Sequence, residues 1–429
     1  MAMLHTSLSE LTALLAGHDA QALPVTAVQQ AIAASIRPIT ETEIVPLKAA
    51  LGRVLAGELI SPINVPAYDN SAMDGYALRG SDLSDQAITL KVVGIAFAGH
   101  PYVQTVSAGE CVRIMTGAVM PTACDSVIPQ ELCSQASETN VTIPANKIKA
   151  GDNRRLAGED LPAGSAALAK GKLLTPADIG LIASLGIAEV TVMRRLRVAF
   201  FSTGDELRSI GQPLEAGCVY DSNRYTLHSM LLRAHCEPID MGVVRDDPDS
   251  LEAALRTACA NADVIITTGG VSAGDADYTK QMMARLGEVG FWKIAMRPGR
   301  PMAFGKILCD GREALLFGLP GNPVAVMATF YFFAREAIYQ LMGALPQVQH
   351  VFSVNSAQAI RKKPGRTEFQ RGVLSRDKHG RQLVTLTGAQ GSGILSSMSD
   401  ANCMVVLNHE QGDIAAGEIV SVLPFDGLI

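Results

Sequence analysis

The 429-residue chain lacks several patterns that would assign a function at once. None of its eight cysteines forms a Cys-x-x-Cys pair, and the chain is too long to be a disulfide scaffold. Its net charge is -6 and no long basic run occurs, which disfavours a general nucleic-acid or anionic-membrane surface. We therefore expect neither a nucleic-acid partner nor a zinc or haem site.

Long hydrophobic runs are also missing. No uncharged apolar stretch reaches the about 18 residues that a membrane helix needs. The best candidate, VAVMATFYFFA (324–334), runs into Arg335 and Glu336. The N-terminus shows no basic segment followed by an apolar core, the pattern of a secretory signal. We expect a cytoplasmic protein with no membrane partner.

Apolar residues make up 48% of the chain and charged residues 18%, which is typical of a globular protein. Helical spacing predicts helices in TAVQQAIAASI and LKAALGRVLAGEL within 26–60, and in TPADIGLIASLGI (175–187). Residues 61–80 show no clear period, which predicts a loop or an extended segment. Short apolar runs between Gly and Pro predict a small β-domain over 88–145, and short strands with turn signals predict a small β-barrel or sandwich over 346–429.

From residue 195 the pattern changes to strands that alternate with helices. Buried strands are predicted in RLRVAFFS, PIDMGVV, DVIITTGG, GFWKIAM and ALLFGL, and a long helix in PVAVMATFYFFAREAIYQLM. Such alternation favours a mostly parallel sheet covered on both faces. The predicted fold class is a multidomain α/β protein. It has a central doubly wound domain, a small β-domain, an elongated mixed helical segment and a C-terminal β-barrel-like domain.

The loops after these strands carry the strongest functional pattern, because ligands of open α/β sheets bind beyond the carboxyl ends of the strands. Each loop alone is also explained by a turn or by helix capping. Their joint occurrence at one edge favours a functional cleft. The loops are TGDEL (203–207), RDDPD (245–249), TTGGVSAGDAD (267–277), RPGRP (297–301) and LPGNP (319–323), with the acids Asp205, Glu206, Asp246, Asp247, Asp275 and Asp277.

The residue types in these loops predict the chemistry of the ligand. Glycine turns and helix N-termini favour phosphate-like groups, and hard carboxylates suit Mg²⁺. The guanidinium groups of Arg297 and Arg300 suit an oxyanion. The chain has neither a Walker P-loop nor a Gly-x-Ser-x-Gly elbow. We expect a site that positions a phosphorylated ligand and an anion with a metal, without a covalent enzyme intermediate.

Nine motifs spread over nearly the whole chain resemble the MoeA family, the molybdopterin molybdenumtransferases related to the E domain of gephyrin. They are DNSAMDGYALR (69–79), RIMTGAVMP (113–121), NRRLAGED (153–160), FSTGDEL (201–207), YDSNR (220–224), GGVSAGDADYTK (269–280), RPGRP (297–301), LPGNPV (319–324) and GAQGSGILSSMSDAN (388–402).

The resemblance implies a reaction and an architecture. Adenylylated molybdopterin and molybdate bind with Mg²⁺, the pyrophosphate link is hydrolysed, AMP leaves, and molybdenum ends on the dithiolene sulfurs. The family is an elongated homodimer of four-domain subunits, whose cleft combines the α/β domain of one subunit with the small β-domain of the other. Other proteins of the same biosynthesis are possible partners. The implied domains are 22–60 with 151–191 (discontinuous linker and dimer domain), 61–150 (small β-domain), 192–345 (molybdopterin-binding α/β domain) and 346–429 (C-terminal β-domain).

The site residues follow from the matching motifs. The resemblance implies catalytic roles for Asp74, Thr116, Asp160, Glu206, Asp246 and Asp277. Asp246 and Asp277 come from neighbouring loops and are the candidate Mg²⁺ ligands, directly or through water, but the sequence leaves open which carboxylates contact the metal. It implies substrate-binding roles for Thr203, Gly204, Asp205, Ser222, Gly269, Gly270, Ser272, Lys293, Arg297, Arg300, Pro320, Pro323, Arg371 and Ser392.

The chain departs from the family pattern at three positions, which leaves the preference for molybdate or tungstate open. Arg297 and Arg300 stand where the family often has lysine, and Ala325 where it often has serine. Two other functions remain as alternatives. A molybdopterin adenylyltransferase has a similar α/β domain but usually lacks segments such as 61–150 and 346–429. A non-catalytic scaffold, as gephyrin is at synapses, is disfavoured by the retained acids.

Overall fold

The computed structural model describes residues 7–270 and 278–425. Its largest sheet lies in the middle of the chain and has six strands. Four neighbouring strands are parallel, and the two at one edge are antiparallel to their neighbours. The predicted mostly parallel sheet is therefore confirmed. In sheet order the strands are Glu237–Val244, Arg197–Thr203, Val264–Thr268, Arg312–Leu319, Pro301–Cys309 and Gly287–Lys293.

One strand of this sheet, Pro301–Cys309, was not predicted. Its apolar run is interrupted by Gly305 and Lys306, which hides the pattern of a buried strand. Gly305 is required there, because a Cβ atom would collide with the main chain of Glu288 on the neighbouring strand. The absence of a side chain, which weakens the sequence pattern, is what lets the two strands approach each other.

Helices cover both faces of the sheet, as predicted. Successive strand residues point to opposite faces, so Phe200 joins one core and Phe201 the other. The predicted long helix at 323–342 is present, with one π-helical turn inside it. The helices of this region are Ser222–Arg233, Pro248–Asn261, Tyr278–Leu286, and Pro323–Thr329, which continues through Phe330–Ala334 into Arg335–Leu341.

Residues 61–150 contain the second six-stranded sheet, which confirms the small β-domain. The strand Gly75–Leu78 lies inside this sheet, although 61–80 was predicted as loop or extended. All four of its residues are buried, so no alternation of polar and apolar positions marked it as a strand. In sheet order the strands are Ser126–Pro129, Gly75–Leu78, Glu110–Ile114, Ile88–Ala96, Asn140–Ile143 and Gln135–Ala136.

The segments on either side of this domain pair with each other. Strand Thr42–Pro46 is antiparallel to Glu189–Met193, and Leu59–Ile60 pairs with Ala166–Leu168. The predicted helices appear as Val25–Ser35 and Pro176–Ser184, the latter with a capping box from Thr175. N-terminal to them lies the short helix Leu8–Leu14.

The predicted helix in LKAALGRVLAGEL is wrong. Only Leu47–Ala49 form a 3-10 turn, and the chain then extends. Gly52 has φ +69, and a Cβ there would collide with the imidazole ring of His235. Arg53 is buried and bonds to Glu43 and to the carbonyl of Met193. These distant contacts override the local helical pattern.

The C-terminal region closes into a five-stranded barrel, as predicted, and a short strand, Met296–Arg297, pairs with its wall. Among residues 7–270 and 278–425, no helix is long and apolar enough to cross a membrane. The domain boundaries stay predictions. Around the barrel the strands are Thr367–Arg376, Gln382–Leu386, Phe352–Ser356, Ile419–Pro424 and Cys403–Leu407, which returns to Thr367–Arg376.

The core of the central sheet can be tested with one pair of phenylalanines. Phe304 is fully buried between the rings of Trp292 and Phe317, at centroid distances of 5.4 and 5.0 Å. We expect Phe304→Ala to cost about 3–5 kcal/mol of unfolding free energy. Phe291 is 37% exposed on the adjoining strand, so Phe291→Ala should cost about 1 kcal/mol or less. Urea unfolding followed by the fluorescence of Trp292, the single tryptophan, measures both. Equal losses of unfolding free energy in the two variants would contradict the burial of Phe304 in this core.

Candidate active site

A cleft of about 740 Å³ lies at the carboxyl edge of the central sheet, where the parallel strands end. Ser202, Thr268 and Leu319 are register partners on adjacent parallel strands, so the loops that follow them emerge side by side. The cleft brings together nine of the predicted site residues: Thr203, Gly204, Glu206, Ser222, Asp246, Gly269, Gly270, Pro320 and Pro323. Asp205 is not among the lining residues.

The glycine pair after strand Val264–Thr268 forms one wall. Gly269 and Gly270 have φ of +93 and +63, where other residues are strained. A Cβ on Gly269 would lie 2.9 Å from the hydroxyl oxygen of Thr203 and even closer to its carbonyl oxygen. A Cβ on Gly270 would collide with the side chain of Thr279. The predicted site residues Ser272 and Asp277 lie outside the described residues, as does Asp275.

Asn223 connects three of the cleft loops, a role that the sequence analysis missed. Its side-chain amide donates to the hydroxyl of Thr268 at 3.0 Å and to the carbonyl of Gly321 at 2.7 Å. The Thr268 hydroxyl in turn donates to the carbonyl of Pro320 at 2.9 Å. The only available signal was the polar YDSNR stretch at the start of a helix.

Two neighbouring acids, Asp246 and Asp247, separate into different roles. Asp246 lines the cleft. Asp247 caps helix Pro248–Asn261, and its carboxylate accepts the backbone N–H of Ser250 at 2.9 Å. That hydrogen bond holds the pKa of Asp247 below its usual range. Helix capping, the alternative explanation of the RDDPD loop, therefore applies to Asp247 and not to Asp246.

The acids of the cleft are suited to a hard cation. Glu206, Asp221 and Asp246 line it, and all of them offer carboxylate oxygens. Within the described ranges, no group of three or more His, Cys, Asp or Glu residues is arranged to enclose a metal ion. Magnesium usually takes one or two protein carboxylates and completes its shell with water and phosphate oxygens. The donor set therefore fits Mg²⁺ shared with a phosphorylated ligand.

Three predicted cations lie in the segment from the last residue of strand Gly287–Lys293 to the first residue of strand Pro301–Cys309. Lys293 donates to the side-chain oxygen of Gln21 at 2.6 Å, and Arg300 donates to the backbone carbonyl of Gln21 at 2.8 Å. Arg297 is half exposed and 4.0 Å from the carboxylate of Glu368. None of the three is among the lining residues of the cleft, but Pro301, directly after them, is.

Arg371 lies inside the protein. Its side chain is fully buried and donates to the Ser397 hydroxyl at 2.9 Å and to the carbonyls of Ala389 and Gly391 at 3.2 and 3.0 Å. Burial, together with the charge of Arg297, lowers the pKa of Arg371 to about 10. The buried guanidinium thus fixes the glycine-rich loop 388–393 through hydrogen bonds to its carbonyl oxygens.

The same loop contacts the cleft directly. The carbonyl of Ser392 accepts the backbone N–H of Val324 at 3.0 Å, at the start of the long helix. The next residue, Gly393, lines the cleft together with Ala325. The predicted residue Ser392 is therefore placed beside the cleft by its main chain.

The small β-domain carries a second group of predicted residues. The backbone N–H and the hydroxyl of Thr116 both donate to one carboxylate oxygen of Asp74 at 2.7 Å. These bonds hold the pKa of the exposed Asp74 below its usual range. Asp160 is exposed in a loop whose backbone bonds to Val65. In the parts of the chain that the structure describes, no hydrogen bond or ion pair joins this group to the cleft of the same chain.

Together the fold and the site define a class: multidomain α/β proteins with a cleft of glycine and proline turns at the carboxyl edge of the sheet, and with a separate β-barrel. Residues 23–186 match the MoeA N-terminal region (domain I and II), 199–340 the probable molybdopterin binding domain, and 353–425 the MoeA C-terminal region (domain IV). The chain belongs to the MoeA family.

Similar proteins agree with this assignment over nearly their whole length. The molybdopterin molybdenumtransferase of Haemophilus influenzae is 44% identical, covering 91% of this chain and 95% of the relative. That of Nostoc is 38% identical, covering 89% and 88%. The structure of the molybdopterin biosynthesis moeA protein from Pyrococcus horikoshii aligns with a TM-score of 0.80 at 27% identity, covering 94% of this chain and 100% of that one.

The glycine wall can be tested against a neighbouring glycine. Gly269→Ala places a Cβ against Thr203 and keeps a positive φ, so it should cost about 1–3 kcal/mol of unfolding free energy. Gly321→Ala is the control, because its Cβ would meet only the Gly269 Cα, at 3.7 Å. Urea unfolding compares the two variants. If Gly269→Ala leaves the unfolding free energy unchanged, the backbone at residue 269 does not have this conformation.

Proposed function

We propose that the protein transfers molybdenum to molybdopterin in the biosynthesis of the molybdenum cofactor, in the cytoplasm. Its substrates are adenylylated molybdopterin and molybdate, and its products are the cofactor and AMP. The observation that carries the proposal is the cleft, which joins glycine and proline loops for a phosphorylated ligand to carboxylates for Mg²⁺. The relatives named molybdopterin molybdenumtransferase support the transfer of molybdenum to molybdopterin, the coarser part of this proposal.

The chain contributes orientation and charge to this reaction. Gly269 and Gly270 allow close approach of the pyrophosphate, and Asn223 fixes the loops that surround it. Asp246, and Asp277 in the segment outside the described residues, would hold Mg²⁺ with bound water. When bound, Mg²⁺ neutralises phosphate charge and stabilises the charge that develops on the leaving phosphate. Water adds to one phosphorus of the pyrophosphate link, the bridging bond breaks, and AMP leaves.

Molybdate is assigned to the positively charged segment 293–301, which reaches the cleft at Pro301 and which we call the rim loop. Lys293, Arg297 and Arg300 offer charge and hydrogen-bond donors to an oxyanion. Arg371 adds buried positive charge and holds the loop that carries Ser392. In this proposal Arg371 acts on molybdate through its charge and through that loop, because its side chain is fully buried.

The reaction can be tested with adjacent acids. The wild-type protein should release AMP from adenylylated molybdopterin only with molybdate and Mg²⁺. We expect Asp246→Asn to lower that rate by about a hundredfold or more, since removal of one group that stabilises transition-state charge has that effect. Asp247→Asn is the control, because Asn also caps helices, and it should keep near-normal activity. Equal rates in all three proteins would remove Asp246 from the mechanism.

The same assay separates the alternatives. An adenylyltransferase would instead convert molybdopterin and ATP to the adenylylated product without molybdate. A scaffold would show no turnover with either substrate. The extra barrel and small β-domain, both present in the structure, favour the transferase over a single-domain adenylyltransferase.

We also propose a homodimer in which the small β-domain completes the partner's cleft. Asp74 and Thr116 are exposed and bonded to each other, and family membership supports the arrangement. Inactive Asp74→Asn and Glu206→Gln subunits, once mixed and exchanged, should recover up to about one quarter of the wild-type activity. Half of the dimers are then mixed, and each mixed dimer has one intact site.

A second mixture controls for this result. Asp74→Asn and Thr116→Val lie in the same domain, so every site of their mixed dimer carries one change. This pair should recover no activity. If the first mixture also fails despite verified exchange, Asp74 and Glu206 belong to one subunit's site.

A further inference from the structure

Two cations of the rim loop converge on one residue of the N-terminal segment, Gln21. The Lys293 ammonium lies 2.6 Å from the Gln21 side-chain oxygen, and an Arg300 guanidinium nitrogen lies 2.8 Å from the Gln21 carbonyl oxygen. Lys293 ends one strand and Arg300 directly precedes the next, whose first residue pairs with Lys293. Gln21 therefore bridges the two ends of the loop.

The segment around Gln21 is fixed by hydrogen bonds on both sides. The carboxylate of Asp19 accepts the backbone N–H of Gln21 at 2.9 Å. Leu23 donates to the carbonyl of Lys293 at 2.9 Å and accepts from Ala295 at 2.7 Å. Leu23 is also buried, with 4% exposure. The backbone of Gln21 is thus fixed by bonds other than the one that its side chain makes with Lys293.

The acceptors that hold these cations are neutral. The ion pairs formed between described residues include neither Lys293 nor Arg300, whereas Arg297 on the same loop approaches Glu368. Two like charges repel each other when they are brought together. The hydrogen bonds to the two uncharged oxygens of Gln21 hold Lys293 and Arg300 against this repulsion, and both side chains keep their positive charge. A carboxylate at the same position would neutralise the charge that an anion needs.

We infer that Gln21 is a positioning residue for oxyanion binding: it orients Lys293 and holds Arg300 without neutralising either. This inference rests on the proposed function, which assigns molybdate to the rim loop. The N-terminal segment is then part of the substrate site, although it lies about 270 residues from the loop in sequence. No sequence pattern in the segment marked Gln21.

Substitution of Gln21 should change molybdate affinity in a charge-dependent way. Gln21→Ala removes the contact to Lys293 but keeps the backbone acceptor of Arg300, so affinity should fall about two- to fivefold. Gln21→Glu pairs with Lys293 and repels the dianion, so affinity should fall about tenfold or more at low salt. Calorimetric titration with molybdate alone measures both. Gln347 is exposed and its side chain donates to the carbonyl of Leu345, so Gln347→Glu is the charge-matched control and should leave affinity unchanged.

A double-mutant cycle distinguishes positioning from a structural role. If Gln21 acts through Lys293, then Gln21→Ala should have no further effect on molybdate affinity in the Lys293→Met background. A structural role would instead lower the melting temperature and add to the Lys293→Met effect. Unchanged affinity in Gln21→Glu, or additive losses in the cycle, would overturn the inference.

The calorimetric test does not require turnover, so the two proposals fail separately. A wild-type protein that binds molybdate with the expected Gln21 dependence but transfers no molybdenum would overturn the proposed function alone. A wild-type protein that transfers molybdenum while Gln21→Glu binds molybdate normally would overturn the role of Gln21 alone. No molybdate binding by the wild-type protein would overturn the role of Gln21.

Discussion

The site depends on one constraint, the in-register parallel pairing of three central strands. Ser202 pairs with Thr268, and Thr268 with Leu319, so three strands end at the same level. Their loops leave the sheet side by side and must turn without colliding. Gly269 meets this requirement, because any side chain would strike Thr203 on the adjacent strand. The glycine pair is therefore a steric consequence of the sheet as well as a feature of the site.

A second set of contacts fixes the rim loop that carries Lys293, Arg297 and Arg300. On one side Leu23 and Ile294 form a parallel bridge, and on the other Met296 and Arg297 pair with the barrel strand that begins at Thr367. The loop is thus held between the N-terminal segment and the barrel. These pairings outside the central sheet help to set the positions of Lys293, Arg297 and Arg300.

Sequence reasoning succeeded where local pattern and tertiary structure agree, and failed where a distant contact decides. The alternation of strands and helices predicted the central sheet and hence the edge at which the loops meet. The sequence could not show which of Asp246 and Asp247 caps the helix. If the helix began one residue earlier than Pro248, the two acids would exchange their roles. The wrong helix after residue 46 reflects the contact of Gly52 with His235, far along the chain. The strand around Arg371 is buried on both sides, so no alternation showed that its guanidinium points inward.

The charges of the molecule are arranged differently at the two ends of the sheet. At the amino end Arg194 and Asp263 form a bidentate pair at 2.7 and 2.9 Å, which neutralises both and fixes the chain. At the carboxyl edge the acids line the cleft, whereas Lys293, Arg297 and Arg300 lie on the neighbouring loop, outside the lining of the cleft. Paired charges stabilise a fold, whereas separated charges retain the capacity to bind ions of opposite sign. The proposed reaction, in which a metal dication binds beside a phosphorylated ligand and an oxyanion dianion, depends on this separation, since acids and cations that were mixed would pair with each other instead of with the two ions.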